Sequence, residues 1–251
     1  MDNIFEKYFD IQYCDIDSNN KLTDFAFFKY LQEVACLHAN KLGFGYYDSA
    51  STRLVWLLLD WKVEIFSKPG WMDRILIRTW PSKIEVASSY RDFEVYDSNN
   101  NLIGCATSKW VLFNIDTKRI SKLSDEVKSI FKPVEKRVFD SDVEKLKEPN
   151  SFSNSIDYTI SKRDIDTNLH VNNLNYIWFA YEAMPLSVFE NSNFSSIEIM
   201  YKKQCVLGDE ISCFYTDLGN NEHVVTIKSK DLKTIHAILK FKQNKIQLRY
   251  Y

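Results

Sequence analysis

Glycine and proline are scarce, at 6 and 5 among 251 residues, so long flexible linkers are not expected. The cysteines, Cys14, Cys36, Cys105, Cys205 and Cys213, are odd in number and scattered. No Cys-x-x-Cys pair suggests a zinc site, and no dense framework suggests a secreted disulfide scaffold. Neither sign of charge dominates: the formal charge is −2, which gives no global case for nucleic-acid binding. The strongest apolar run, Leu54 to Leu59, ends at Asp60 and is far too short to span a bilayer. The start, Met1-Asp2-Asn3-Ile4-Phe5-Glu6-Lys7, lacks a basic region followed by an apolar one, so no signal peptide is expected. These absences predict a soluble, cytoplasmic protein of reduced thiols, with neither a nucleic-acid nor a membrane partner.

Apolar residues make up 45% of the chain and aromatics 15%, enough for a sizeable core. The sequence also repeats itself. Asp15-Ile16-Asp17-Ser18-Asn19 recurs as Asp164-Ile165-Asp166-Thr167-Asn168, with Ser for Thr the single difference. The same spacing pairs Leu22 with Val171, Phe27 with Tyr176, Tyr30 with Phe179 and Glu33 with Glu182. Apolar residues at helical spacing follow each copy: Phe27, Phe28, Leu31, Val34 and Ala35 in one, Val171, Leu174, Ile177, Trp178 and Tyr181 in the other. Thr23 or Asp24, and Asn172 or Asn173, can cap the helix starts.

Strand-like segments come next, near 54–66, 73–83, 86–96 and 102–114, and again near 196–205, 209–217, 222–229 and 234–243. The Gly70 and Gly208 turns take equivalent places, each soon followed by an acid, Asp73 or Asp209. Residues 115–150 are rich in mixed charge and belong to neither repeat; a surface helix within a solvated linker is expected there. The chain is thus read as 1–114, 115–150 and 151–251. Its fold class is α+β, a tandem (double) hotdog in which each half is one long helix wrapped by an antiparallel sheet. Trp56, Leu57, Leu58, Leu59 and Trp61 are expected between helix and sheet.

The two copies differ where chemistry would sit. Lys21 stands opposite His170, Thr23 opposite Asn172 and Asp24 opposite Asn173, so only the second copy carries Asp-x-Asn-x-His-Val-Asn-Asn. One site per chain is expected, in the second half. These residue types suit thioester hydrolysis, whose thiol leaving group (pKa about 8.5) needs little proton assistance. An oriented water, a base and donors for the oxyanion are what it requires. His170 can accept or relay a proton at neutral pH. Asp166 can orient water or imidazole, or act as base, and Asn168 offers an amide to polarise a carbonyl. The helix start after His170 would add backbone donors. Asp-x-Asn before a helix is also ordinary turn and cap chemistry, expected of Asp17 and Asn19. For Asp166 and Asn168 both readings stay open, and His170 favours the chemical one. His38, His223 and His236 are read as ordinary packed or surface residues.

With these residues in view, the chain resembles the acyl-ACP thioesterases over nearly its whole length. Asp164 through Asn173, followed by Tyr176 and Glu182, looks like that family's active-site segment. Trp56 through Glu64, Pro69-Gly70-Trp71, Ile77-Arg78-Thr79-Trp80, Ser108-Lys109-Trp110-Val111 and Ile120-Ser121-Lys122-Leu123-Ser124 look like its N-terminal domain. The resemblance implies a double hotdog that hydrolyses fatty acyl-acyl carrier protein to free fatty acid and holo-carrier. It implies no metal and no cofactor. Asp166, Asn168 and His170 match the family's catalytic residues by position. An adjacent Glu and Cys on a strand complete the family's candidates. Here that pair is Gln204-Cys205, with Gln204 in place of glutamate.

Gln204 can hydrogen-bond a water or substrate but cannot take up a proton near neutral pH. Water activated by Asp166 and His170 is the favoured mechanism; a Cys205 thiolate nucleophile with His170 as base is the other. The plain alternative for Cys205 is a small buried strand residue. The expected partner is an acidic acyl carrier protein presenting a phosphopantetheine-linked acyl chain, and a homodimer is compatible with this organisation. Docking of that partner would use basic residues: Lys202 and Lys203, or the run Lys228, Lys230, Lys233, Lys240, Lys242, Lys245 and Arg249. Rival functions are an acyl-CoA thioesterase or hydroxyacyl dehydratase of hotdog type, and a weakly active or non-catalytic acyl-binding protein, for which Gln204 is the hint.

Overall fold

The computed structural model describes residues 3–190 and 193–243. The chain divides into two compact units, with the boundary between Val143 and Glu144. Among the described residues, no helix is long and apolar enough to cross a membrane.

The first unit opens with β1 (Phe5–Asp10), a short 3-10 turn at Tyr13–Asp15, and α1 (Asp24–Lys41). Thr23 caps α1, its hydroxyl accepting from the Ala26 N–H at 3.2 Å. Phe27, Phe28, Leu31, Val34 and Ala35 are all buried, as their helical spacing predicts. After a short α2 (Ser49–Thr52), the strands are β2 (Leu54–Ile65), β3 (Arg74–Ile84), β4 (Ser88–Tyr96) and β5 (Leu102–Asn114), with a two-residue β6 (Arg119–Ile120) on the end of β5. They pair antiparallel in the order β1-β3-β4-β5-β2. Phe28 meets the fully buried Trp61 edge-on at 5.6 Å, and Trp61 meets Phe93 at 5.3 Å. Gly104 makes room for this packing, because a Cβ there would lie 2.7 Å from the tip of the Phe27 ring. Trp61 and Leu58 are buried as expected. Trp56 instead joins a side cluster, 5.3 Å from Phe131 and beside Leu112, Leu123 and Val127.

The second unit repeats this plan. It comprises β7 (Asn154–Thr159), a 3-10 turn at Lys162–Asp164, α4 (Asn175–Ala183), a short α5 (Leu186–Glu190), β8 (Phe194–Tyr201), β9 (Glu210–Gly219), β10 (Glu222–Ser229) and β11 (Ile235–Gln243). Its sheet order, β8-β11-β10-β9-β7, is that of the first unit element for element. Tyr181, Phe194 and Phe241 stack in its core, the last two 4.9 Å apart.

Three expectations need correction here. The second helix is not long: α4 ends at Met184-Pro185, because proline cannot continue the hydrogen-bond ladder. Trp178, read as part of its apolar face, is exposed, and Tyr176, Phe179 and Ala180 are buried instead. The charged segment after β6 is no solvated linker. Its helix is only α3 (Asp125–Ile130), and the residues beyond are strapped to the first sheet. The Lys136 carbonyl accepts from Trp80 Nε1 at 2.9 Å, and Val138 N–H donates to the buried Asp92 at 2.9 Å. Lys136 pairs with Glu94, and Asp142 with Lys83, each at 2.6 Å.

Candidate functional site

The two copies of the motif fold identically down to single hydrogen bonds. In the first, Asp17 N–H donates to the Lys21 carbonyl at 2.8 Å, while Asp17 Oδ1 accepts from the N–H groups of Asn19 at 2.8 Å and Lys21 at 2.9 Å. In the second, Asp166 N–H donates to the His170 carbonyl at 2.8 Å, and Asp166 Oδ1 accepts from Asn168 N–H at 2.7 Å and His170 N–H at 3.4 Å. An aspartate closing its own turn is local backbone chemistry. The turn therefore explains why both copies carry Asp-x-Asn, and it leaves only Oδ2 of Asp166 outside the turn.

Each motif is then stitched to a second loop. Leu22 N–H donates to the Pro69 carbonyl at 2.8 Å, and Val171 N–H to the Cys205 carbonyl at 2.9 Å. Within the second loop, Asp73 accepts from Gly70 N–H at 2.7 Å and Asp209 from Val206 N–H at 2.9 Å. These bonds set the register: Gly70 matches Val206, and Gly208 matches Met72, so the two glycines are not equivalents. Met72 and Gly208 share the left-handed backbone, with φ of 69° and 85°. The same register places Lys68 opposite Gln204 and Pro69 opposite Cys205.

In the second unit, then, the segments 169–173 and 201–207 run side by side. Tyr201 Oη donates to the Asn173 carbonyl at 3.0 Å, extending the contact beyond Val171 and Cys205. This brings the His170 run against the Gln204 loop, although the residues are far apart in sequence. Gln204 is exposed, Asp166 and His170 are half-buried, and the Asn168 side chain is exposed. Apart from the Asp166 carboxylate accepting the backbone N–H groups of Asn168 and His170, no hydrogen bond between side chains joins Asp166, Asn168, His170 and Gln204 among the described residues. His170 Nδ1 is shielded from solvent and has no hydrogen-bond partner among the described residues, so one polar atom of the imidazole is unspent.

Cys205 stands apart from these groups. It does not lie on a strand, because β8 ends at Tyr201. Cys205 is fully buried, and burial pushes its thiol pKa up to about 11. A thiol that stays protonated at neutral pH is a poor nucleophile; the burial expected of Cys205 is found, and the strand placement is not. Burial likewise raises the pKa of Tyr176. The helix donors expected beside His170 are spent elsewhere: α4 begins at Asn175, and Asn172 Oδ1 already accepts from Leu174 N–H at 3.0 Å.

Sequence reasoning passed over His236. Its buried ring places Nδ1 3.0 Å from the Lys203 carbonyl, and its own carbonyl accepts from Lys202 N–H at 2.8 Å. One residue thus holds the loop that carries Gln204. The sequence reading of His236 as an ordinary packed or surface residue fits its burial, and nothing local signalled the tie to Lys203. Among the described residues, no three His, Cys, Asp or Glu side chains gather as a metal site would require.

The basic run that begins at Lys228 proves to be paired. Lys228 bonds Glu148 at 2.8 Å, Lys240 bonds Glu222 at 2.9 Å, Lys242 lies 3.7 Å from Glu222 and Lys233 3.7 Å from Asp231, while Lys230 bonds Asp157. Lys245 and Arg249 lie outside the described residues.

Comparison with known proteins agrees with this architecture. Solved structures of an acyl-ACP thioesterase from Bacteroides thetaiotaomicron and a 12:0-ACP thioesterase from Umbellularia californica superpose with TM-scores of 0.86 and 0.87. Each is 23% identical and covers 96% of this chain and 97% of its own, which shows the shared double hotdog fold. Oleoyl-acyl carrier protein thioesterase 1, chloroplastic, of Arabidopsis thaliana is 30% identical over 230 residues, 84% of this chain. A dodecanoyl-[acyl-carrier-protein] hydrolase, chloroplastic, of Umbellularia californica is 29% identical over 231 residues, 87% of this chain. The matches span 63% and 60% of the lengths of these two relatives. The family model for the acyl-ACP thioesterase N-terminal domain matches residues 2–131, and that for the C-terminal domain matches residues 147–250. With both domain models matched in order on a duplicated helix-on-sheet fold, the chain belongs to the acyl-ACP thioesterase family.

Proposed function

We propose that the protein hydrolyses fatty acyl thioesters of an acyl carrier protein, releasing free fatty acid and holo-carrier, at one site in the second unit. The observation that carries this reading is the stitching of the His170 run to the Gln204 loop through Val171 and Cys205. The first unit has the same backbone but Lys21 and Lys68 at the corresponding places. Family membership supports the substrate class.

In this scheme each residue has one role. His170 accepts a proton from water as the oxygen bonds to the thioester carbonyl carbon. Gln204 and Oδ2 of Asp166 orient that water, and the Asn168 amide donates to the carbonyl oxygen. The C–S bond then breaks, and the proton passes from His170 to the departing phosphopantetheine sulfur. Cys205 forms no bond to substrate in this scheme.

Hydrolysis of acyl-carrier protein by single variants tests it. Asp166→Ala and His170→Ala should each lower kcat/KM about a hundredfold, and Cys205→Ala should stay active. Complete loss in a folded Cys205→Ala enzyme would overturn the water mechanism. Retention of bound acyl groups without turnover would instead favour an acyl-binding protein, the reading for which Gln204 speaks.

A further inference from the structure

The rim of the candidate site carries two features that its catalytic residues do not explain. The first is apolar. Leu169 has φ of 63° and is 76% exposed, although left-handed backbone is unfavourable for leucine by about 1 kcal/mol or more. Its counterpart in the first unit is Asn20, a residue at ease in that conformation, with φ of 54°. Two positions out from the Val171–Cys205 hydrogen bond on the opposite segment lies Leu207, 54% exposed, preceded by Val206, 43% exposed.

The second feature is charge. Lys202 and Lys203 are exposed at the other end of the same two segments, on the far side of Gln204. Neither has a carboxylate partner among the described residues, whereas the lysines from Lys228 through Lys242 are all paired. The carboxylates of this region turn inward onto backbone N–H groups: Asp164 onto Ser161, Asp166 onto Asn168 and Asp209 onto Val206. In the first unit, the positions of Lys202 and Lys203 hold Phe66 and Ser67. Exposed apolar residues line the matching rim of the first unit as well, with Phe66, Trp71 and Met72 all half or more exposed, so the lysine pair is what sets apart the unit that carries His170.

We infer that Leu169, Val206, Leu207, Lys202 and Lys203 form the docking surface for the protein that delivers the thioester. The occupant is an acidic carrier domain whose negative surface faces the two lysines and whose apolar side chains cover the leucines. Charge complementarity selects it, since unpaired lysines beside exposed leucines match an acidic, amphipathic partner. The arrangement flanks Gln204 and His170, so a prosthetic arm leaving the docked carrier starts beside the reacting groups. This rests on the hydrolase reading above for the identity of the cargo, but not for the contact itself.

The test compares acyl-carrier protein with the same acyl group on pantetheine alone, for the unaltered protein and for Leu207→Asp and Lys202→Glu/Lys203→Glu. On the carrier-linked substrate, KM should rise about tenfold with kcat unchanged, and the salt dependence of KM should flatten in the lysine variant. Turnover of acyl-pantetheine should be the same in all three proteins. Equal losses on both substrates, or no change on either, would overturn the inference. If no protein turns over either substrate, the hydrolase reading fails. Docking is then read from binding of acyl-carrier protein carrying a non-hydrolysable amide linkage. Variants that weaken this binding uphold the surface, and variants that leave it unchanged, or preferential binding of anionic vesicles, sink it.

Discussion

Lys68 Nζ lies 2.6 Å from the Asp24 carboxylate in the first unit, at the two positions that Gln204 and Asn173 occupy in the second. Both side chains of the pair are nearly buried. One copy of the loop pair thus holds a closed ion pair where the other holds two neutral amides. Removing one member of such a pair leaves a charge without compensation. Asp24→Asn should therefore destabilise the protein by about 3 kcal/mol. Asp24→Asn/Lys68→Gln, which installs the neutral residues of the second copy, should recover most of that loss. Denaturant unfolding of the two variants checks this; equal destabilisation in both would show that the pair contributes nothing beyond packing.

Gln204 lies on the loop whose Cys205 carbonyl accepts from Val171 N–H, next to His170 in the chain. Gln204→Glu should raise kcat on acyl-carrier protein about tenfold, because a general base adds to an otherwise positioned water. The acidic limb of the pH–rate profile should move to lower pH, because a carboxylate base stays ionised below the range in which an imidazole base is lost. An unchanged rate would mean that Gln204 already supplies all that the position requires.

His236 should act on turnover through the loop it ties. His236→Ala removes the hydrogen bond to the Lys203 carbonyl and should lower kcat about tenfold, since small misplacements of reacting groups are costly. His236→Asn keeps an N–H donor near the position of Nδ1 and should restore most of the rate. A role confined to stability would lower the melting temperature of both variants and leave kcat of the folded enzymes alone.

Acid sensitivity should trace to His38 in the first unit. Its Nδ1 lies 2.9 Å from Arg91 Nη1, and burial together with that guanidinium pushes its pKa down to about 3. Burial also lowers the pKa of Arg91, to about 10. The folded His38 is neutral and accepts from Arg91. Its contribution to stability is complete above the ordinary histidine range and is lost as pH falls from about 6.5 toward 3, because the unfolded chain takes up the proton first. His38→Gln keeps an acceptor for Arg91 without titrating. It should reduce the slope of stability against pH by about 1.4 kcal/mol per pH unit between pH 6 and 4. Parallel slopes for the two proteins, measured by urea unfolding, would exclude His38 as the source.

The strands were readable because alternation and polar turns mark them, and the duplication was readable because Asp-Ile-Asp recurs with a helix after it. The length of α4 was harder: Tyr176 through Met184 is apolar on nearly every side, so the stop at Pro185 was hidden by the apolar period around it. Mixed charge between 131 and 142 looks alike whether solvated or paired, and only the fold shows Asp142 meeting Lys83. The Gly70–Gly208 equivalence misled because Met72 adopts the left-handed conformation that glycine advertises. At the site, His170 stood out by its contrast with Lys21. The approach of Cys205 and Gln204, a long-range backbone contact, leaves no trace in local spacing.

The turn closed by Asp17 in one copy and Asp166 in the other draws on backbone groups and one carboxylate oxygen, and it asks nothing of the side chains at 21, 170, 68 or 204. A scaffold of that kind is evolvable. Residues at those four places can be exchanged without redrawing the loops that present them, so a duplicated chain could gain, lose or relocate its chemistry by few substitutions.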